Sequence, residues 1–274
     1  MVLILNNAPL IAFAWATMAE ALVVALLLFV VLSLRGPRLR QLRITLARAK
    51  SLLADSWPLI ISSASIVIYM KIDQVMLAEL VGEKAVGVYS AAARISEIWY
   101  FLAVAINVSI RPSLVHSRER SADLFIKRLQ KLFNLMVQLS LGMALLVSFF
   151  APVIISVLFG SAYIDAVPVL QIHIWAGVFV CLNNAAWAWY IIENKQKIGN
   201  RRLIVGLLLN IILNYLLIPT YGAIGAAVAT LLSRAFVSYF GQLLSNETAR
   251  LFKMMTYSIF TLGIELKATR KGLL

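Results

Sequence analysis

Acidic residues are scarce in this chain. Its 274 residues hold 12 Asp and Glu against 25 Lys and Arg, a formal net charge of +13. Cysteine is scarcer, since Cys181 stands alone. A lone thiol excludes an internal disulfide, and the sequence offers no metal-ligand spacing. No GxGxxG, Walker A, HExxH or CxxC pattern occurs, so nucleotide-binding, zinc-protease and dithiol chemistry have no motif to rest on. The expectation is a chain with no metal and no cofactor. Charge of either sign is thin, at 14% of residues, and it is concentrated between long uncharged runs.

Those runs dominate the rest. The chain is 62% hydrophobic, with mean hydropathy +0.89, whereas soluble proteins are roughly 45–50% apolar. A soluble fold could not hide that excess. Several runs approach the roughly 20 residues that cross a bilayer as a helix. The fold class expected is therefore an all-α integral membrane protein. Seven spans are predicted, near residues 10–34, 57–80, 86–110, 132–159, 168–192, 203–219 and 221–244. Period-2 alternation, the mark of a membrane β-barrel, does not dominate. The start, "MVLILNNAPLIAFAW", lacks the basic n-region of a signal peptide, and its apolar stretch is too long for an h-region; it reads as a retained span.

The connecting segments alternate in charge. Residues 35–55 carry six Lys/Arg against one acid, 111–131 six against two, and 193–202 four against one. The segments "LVGEK", "GSAYIDAV" and "PTYG" carry almost no net charge. By the positive-inside rule the basic segments are cytoplasmic, which explains the net charge without nucleic acid. The expected orientation places the N-terminus outside and the C-terminus inside. An odd span count with an uncharged outer start reads as the later part of a longer protein; a natural seven-span protein is the alternative. Three regions follow: 1–55, a single helix plus basic loop that ends a first lobe; 56–250, a six-helix second lobe; and 251–274, a cytoplasmic tail. Within the tail, "MMTYSIFTLGIEL" is too short to span and suits the membrane interface or disorder.

Six ionisable residues fall well inside predicted spans: Glu20, Lys71, Asp73, Arg94, Glu97 and Arg234. A charge at the bilayer centre costs roughly 2.5–3.5 kcal/mol on insertion scales, so each of these faces protein or water. At about 1.5 Å per residue, Lys71 and Arg94 both lie about 12–13 Å below the outer end. Asp73–Arg94 and Lys71–Glu97 pairs are within reach across neighbouring antiparallel helices. Lys71 and Asp73 are about 200° apart on a helix and cannot share a face. Two readings stand at this point. One is a charged patch lining a watery cavity that meets an anionic group such as pyrophosphate, for which arginine's planar fork suits. The other is a closed set of ion pairs locking two helices. His173 reads as a structural histidine. Asn183, Asn184, Asn210 and Asn214 read as inter-helix hydrogen-bonding residues, with sugar binding the minor alternative.

The stretch "SWPLIISSASIVIYMKIDQVMLAELVGEKAVGVYSAAARISEIWY" resembles the polysaccharide transporter family, the O-antigen flippase type of the multidrug/oligosaccharidyl-lipid/polysaccharide exporter superfamily. "LFGSAYIDAVPVLQI" and "NYLLIPTYGAIGAAVATLLS" are similar to its outer and penultimate loops. Family members have twelve or more spans in two lobes around a central cavity, and this chain is similar to spans six to twelve, the C-terminal portion. The resemblance implies a flippase, not an enzyme, that moves an undecaprenyl-pyrophosphate-linked oligosaccharide across the inner membrane for O-antigen, capsule or exopolysaccharide. It would work by alternating access. In that reading Lys71, Arg94 and Arg234 bind substrate, while Asp73, Glu97 and Glu20 are counter-charges or ion-coupling groups. The implied partners are the lipid-linked oligosaccharide, membrane lipids, a missing N-terminal lobe and polysaccharide polymerase machinery, with no nucleic acid. The rivals are a drug/cation antiporter of the same fold, a membrane polymerase or glycosyltransferase, and an inactive fragment.

Overall fold

Helices are the expected answer to a lipid solvent, because they satisfy every backbone N–H and C=O internally. The computed structural model describes residues 10–35 and 45–262, and among these it contains helices and no strands. In chain order they are α1 Leu10–Arg35, α2 Leu46–Leu80, α3 Glu83–Ile98, α4 Tyr100–Arg120, α5 Ala122–Phe159, α6 Ala166–Ile192, α7 Gln196–Ser238 and α8 Ala249–Phe260. Short 3₁₀ turns at Ser161–Tyr163 and Phe240–Leu244 follow α5 and α7. The most basic part of the first loop, residues 36–44, and the tail from 263 onward lie outside the described residues.

Among the described residues, four stretches are long and apolar enough to cross a membrane: Glu83–Arg120, Ala122–Phe159, Ala166–Ile192 and Gln196–Leu244. Helix α1 adds a shorter apolar stretch, Met18–Val31. The last of the four covers two predicted spans. The segment 111–131, expected as a loop, is helical instead. Helix α4 runs to Arg120, Ser121 adopts extended backbone (φ −164°, ψ 134°), and α5 starts at once with Asp123 in its first turn. At about 1.5 Å per residue, the 38 residues of α5 reach well past about 30 Å of hydrocarbon. Charged residues there do not break a helix; they carry it into water. The same holds for residues 46–55, which begin α2.

The chain divides into two units, residues 1–59 and 60–274. The first contains α1 and the start of α2. The second is built around α6, which packs against α3, α4, α5 and α7. Its core is dominated by small and medium residues: Ala185, Ala186 and Ala188 on α6, Ala91, Ala92 and Ala93 on α3, and Ala226 and Ala227 on α7 are all buried. Small residues let helix backbones approach where hydrocarbon supplies no hydrophobic drive. The outward faces stay apolar, as Leu145, Phe149, Val153 and Val157 of α5 illustrate.

Helix α7 is a hairpin in disguise. Gly222 breaks it with φ 55°, ψ −132°, a backbone region that only glycine enters freely. The arms fold back on each other. Asn210 hydrogen-bonds Ser233, Gly206 lies against Val237, and Gly225 sits on the backbone carbonyl of Leu217. A Cβ on Gly225 would collide with that carbonyl. The turn falls in "PTYG", where the sequence places it.

Helix α2 joins the second unit differently. Among its residues whose side chains are described, the buried ones are Ser65, Tyr69, Asp73 and Leu77, spaced by four and so forming one stripe. Three of the four are polar, and hydrogen bonds hold this helix in place. At the far end, α8 packs on α5 through Leu251, Met254, Met255 and Ser258. There Gln130 Nε2 donates to Met254 O and Ser258 Oγ, and Ser258 Oγ donates to Asn134 Oδ1. The "MMTYSIF" segment is therefore a docked helix up to Phe260.

Candidate functional site

Lys71 and Asp73 lie on opposite sides of α2, as helix geometry requires. Lys71 is exposed, while Asp73 keeps 3% of its surface. The Asp73 carboxylate is held by three neutral donors from three segments. Tyr89 Oη of α3 and Thr230 Oγ1 of the second α7 arm both donate to Oδ2 at 2.6 Å. Asn214 Nδ2 of the first α7 arm donates to Oδ1 at 2.5 Å. The network continues: Asn214 Nδ2 also donates to Asn210 Oδ1 at 3.2 Å, Asn210 Nδ2 to Ser233 Oγ at 3.4 Å, and Ser233 Oγ pairs with Tyr69 Oη at 2.8 Å. Tyr69 and Asp73, one turn apart on α2, thus anchor both ends of one polar seam against α7.

Beside the seam lies a cavity of about 10 Å³, bordered by Asp73, Glu97, Tyr100, His173 and Arg234 among others. One water needs about 10–15 Å³ measured this way, so the space is close to the size of a single water. Arg234 stacks its guanidinium over the Tyr69 ring, 4.0 Å from the centroid, a contact worth about 0.5–2 kcal/mol. Two buried atoms here have no partner, Arg234 Nε and Asn214 Oδ1. His173, buried, shares a 2.6 Å hydrogen bond between Nδ1 and Ser96 Oγ and meets the Tyr89 ring edge-on at 5.6 Å. Among the described residues, no group of three His, Cys, Asp or Glu is placed to hold a metal.

The six candidates from the sequence separate as follows. Lys71, Asp73, Glu97 and Arg234 are brought together: Lys71 and Arg234 act on half-buried Glu97 as neighbouring positive charges, and Asp73 as a negative one. Arg94 shares the Glu97 side of α3 but is exposed and has none of these contacts. Glu20 is exposed on α1 in the other unit. The pairs Asp73–Arg94 and Lys71–Glu97 do not form at ion-pair distance among the described residues. The reason is rotational. Helix α2 turns Asp73 onto α7, where hydroxyl and amide donors satisfy it, and so turns Lys71 away.

Asn210 and Asn214 bond between helices as expected. Tyr69, Tyr89, Thr230, Ser233 and Ser96 were not singled out by sequence reasoning. The usable signal was the spacing of Ser65, Tyr69 and Asp73 by four, with hydroxyls recurring at Thr230 and Ser233.

Comparison with known proteins places this geometry in a context. Residues 1–117 match the family model described as polysaccharide biosynthesis protein. The chain is 33% identical over 101 residues to an uncharacterized membrane protein of Methanocaldococcus jannaschii, covering 37% of this chain and 20% of that one. It is 25% identical over 199 residues to the capsular polysaccharide biosynthesis protein CapF of Staphylococcus aureus, covering 71% and 50%. It is 26% identical over 230 residues to a probable low-salt glycan biosynthesis flippase, Agl15, of Haloferax volcanii, covering 79% and 47%. The chain therefore spans half or less of the length of each of these relatives. No solved structure matches it.

Proposed function

We propose that this chain is a member of the polysaccharide transporter family and forms one lobe of a flippase for a lipid-linked saccharide in the cytoplasmic membrane. The cargo is an oligosaccharide on undecaprenyl pyrophosphate, moved outward for surface polysaccharide. The observation that carries the reading is the exposure of Lys71 and Arg94 on the membrane helices α2 and α3. A cation facing lipid costs roughly 2.5–3.5 kcal/mol, so each of these positions is one that water or a second lobe covers. Cations so placed suit a diphosphate. The relatives' names, capsule biosynthesis and glycan flippase, agree in substrate class.

The mechanism is alternating access, with the lobe rocking against its counterpart so that the site opens to one side and then the other. Moving a headgroup across the bilayer makes and breaks no bond, so no nucleophile or acid–base pair is required and the protein is not an enzyme. Lys71, Arg94 and Arg234 hold the anionic headgroup, and Glu97 balances their charge. Asp73, whose direct hydrogen-bond partners are all neutral, is the ion-coupling residue. That same carboxylate supports the second reading, a drug/cation antiporter of the same fold.

The test is Arg94→Ala in a cell whose surface polysaccharide depends on this protein. The expected result is at least a tenfold fall in surface polysaccharide with unchanged protein in the membrane. Unchanged export would end the headgroup role of Arg94, and loss of the protein from the membrane would make its role structural. Export lost for polysaccharide but retained for organic cations would favour the antiporter.

A further inference from the structure

Away from the Asp73 seam, α4 carries a second set of unmatched polar atoms. Asn107 is 4% exposed. Its Nδ2 donates to the backbone carbonyl of Asn184 on α6 at 2.7 Å, but its Oδ1 is buried with no partner. One turn later, Arg111 is half-buried and its Nε has no partner either. No carboxylate lies within ion-pair distance of Arg111 among the described residues. Pro112 follows inside the helix, and a proline has no N–H to give the carbonyl four residues back. The Val108 carbonyl is thereby left without its helical donor. Asn107 and Arg111, one turn apart, fall on one sector of α4. Arg128 of α5 reaches Ser113 O and Ser113 Oγ, which brings a second guanidinium to the residue after Pro112.

Buried polar groups are nearly always paired, so an unmatched donor and acceptor one turn apart are fitted for a ligand offering the complementary groups. A guanidinium with no acid asks for an anionic oxygen, and phosphate matches its fork. An unmatched amide oxygen asks for a hydroxyl. The position matters too. Trp99 links α3 to α4 with helical angles (φ −75°, ψ −16°), and Arg111 is 17 residues beyond Arg94, about 25 Å along a helix. It therefore lies toward the opposite end of the bundle from Arg94, near the Arg118–Glu193 pair that closes α4 on α6.

From this geometry we infer that Asn107 and Arg111 form a second phosphate-binding step, the loading site of the end opposite Arg94, where a phosphate ester is received before it reaches Lys71 and Arg94. The inference rests on the flippase reading. Phosphate could be presented there by the pyrophosphate carrier or by an ordinary phospholipid headgroup, and the carrier is the ligand assigned.

The experiment uses the full chain in nanodiscs and measures lipid adducts by native mass spectrometry. The probes are undecaprenyl pyrophosphate and phosphatidylglycerol, and the proteins are wild type, Arg111→Gln and Arg111→Lys. The expected result is binding of undecaprenyl pyrophosphate by wild type, a loss of tenfold or more in Arg111→Gln, and intermediate binding in Arg111→Lys, which keeps the charge but not the fork. Phosphatidylglycerol binding should change less than twofold. If wild type binds and Arg111→Gln binds equally well, the loading site is refuted while the flippase reading stands. If Arg111→Gln loses phosphatidylglycerol alone, Arg111 is a headgroup anchor and the assignment is overturned. If wild type does not bind the pyrophosphate lipid, the flippase reading fails and takes the inference with it. Should Arg111→Gln not fold, Arg111→Lys decides: binding equal to wild type refutes the fork.

Discussion

Replacing Asp73 separates what its charge does from what its oxygens do. Asp73→Ala removes the acceptor for Tyr89, Thr230 and Asn214 at once. Some of the loss is recovered, since Tyr89 Oη and Thr230 Oγ1 already lie 3.3 Å apart and Asn214 Nδ2 keeps Asn210 Oδ1. One or two donors remain stranded at about 1–3 kcal/mol each, a total of about 3 kcal/mol. Asp73→Asn keeps one oxygen for Tyr89 and Thr230 and turns an amide toward Asn214. Rotating the Asn214 amide then presents its unmatched Oδ1 to the new Nδ2, at the expense of its bond to Asn210. That exchange costs about 1 kcal/mol, one ordinary hydrogen bond. At roughly 2–4 °C per kcal/mol for chains near this size, Asp73→Ala should melt about 6–12 °C below wild type and Asp73→Asn about 2–4 °C below. The assay is tryptophan fluorescence on heating in detergent at one fixed scan rate, because membrane proteins unfold irreversibly and apparent midpoints depend on that rate. The reasoning is refuted if Asp73→Asn is as unstable as Asp73→Ala. The negative charge itself would then hold the helices, through a cation that the hydrogen-bond seam does not include. The same variant bears on coupling, since Asp73→Asn should insert normally and still fail to export polysaccharide.

Two further outcomes can be read by the same melting assay. Gly225→Ala forces a Cβ into the backbone carbonyl of Leu217; neither arm of α7 can yield without opening the hairpin, so a loss of about 1–3 kcal/mol is expected, and an unchanged midpoint would contradict the close approach. Buried Arg202 donates to Tyr190 Oη, Gln242 Oε1 and Thr248 Oγ1, with no acid at ion-pair distance among the described residues. In Arg202→Met, Gln242 Oε1 keeps the Tyr190 hydroxyl, and Thr248 Oγ1 still donates to Gln242 O and Ser245 O. The expected change is therefore under about 1 kcal/mol, because replacing a buried charge by an apolar side chain is often neutral. Gln242→Leu, which removes one of the three neutral acceptors of the guanidinium and leaves Tyr190 Oη and Thr248 Oγ1, should cost about 1.5–3 kcal/mol; the reverse order would mean that the charge stabilises this corner.

The helices were legible in the sequence because lipid leaves them no alternative, and the hairpin turn was legible because Pro219, Tyr221 and Gly222 interrupt an apolar run. The helical nature of 111–131 was not. Loop charge marks where a chain meets water, and a helix passes that boundary without a change of pattern. Charge position was legible as well: a spacing of two on a helix separates Lys71 from Asp73 whatever surrounds them. Their partners were not, because pairing depends on how α2 is turned about its axis. That angle is set by hydroxyls on Tyr69, Tyr89, Thr230 and Ser233, which in a sequence look like ordinary members of apolar runs. A search for opposite charges pointed Asp73 toward Arg94, whereas three neutral donors occupy that place.

Helix α6, enclosed by four others and lined with alanines, leaves no slack for one neighbour to slide past another inside this unit. Helix α2 grips the same body by a strip of hydroxyls and one carboxylate. A seam of that kind can be unzipped and rejoined by exchanging donors with water, which interlocked methyl groups cannot do. If the lobe has a moving part, it is α2, and Asp73 is its clasp.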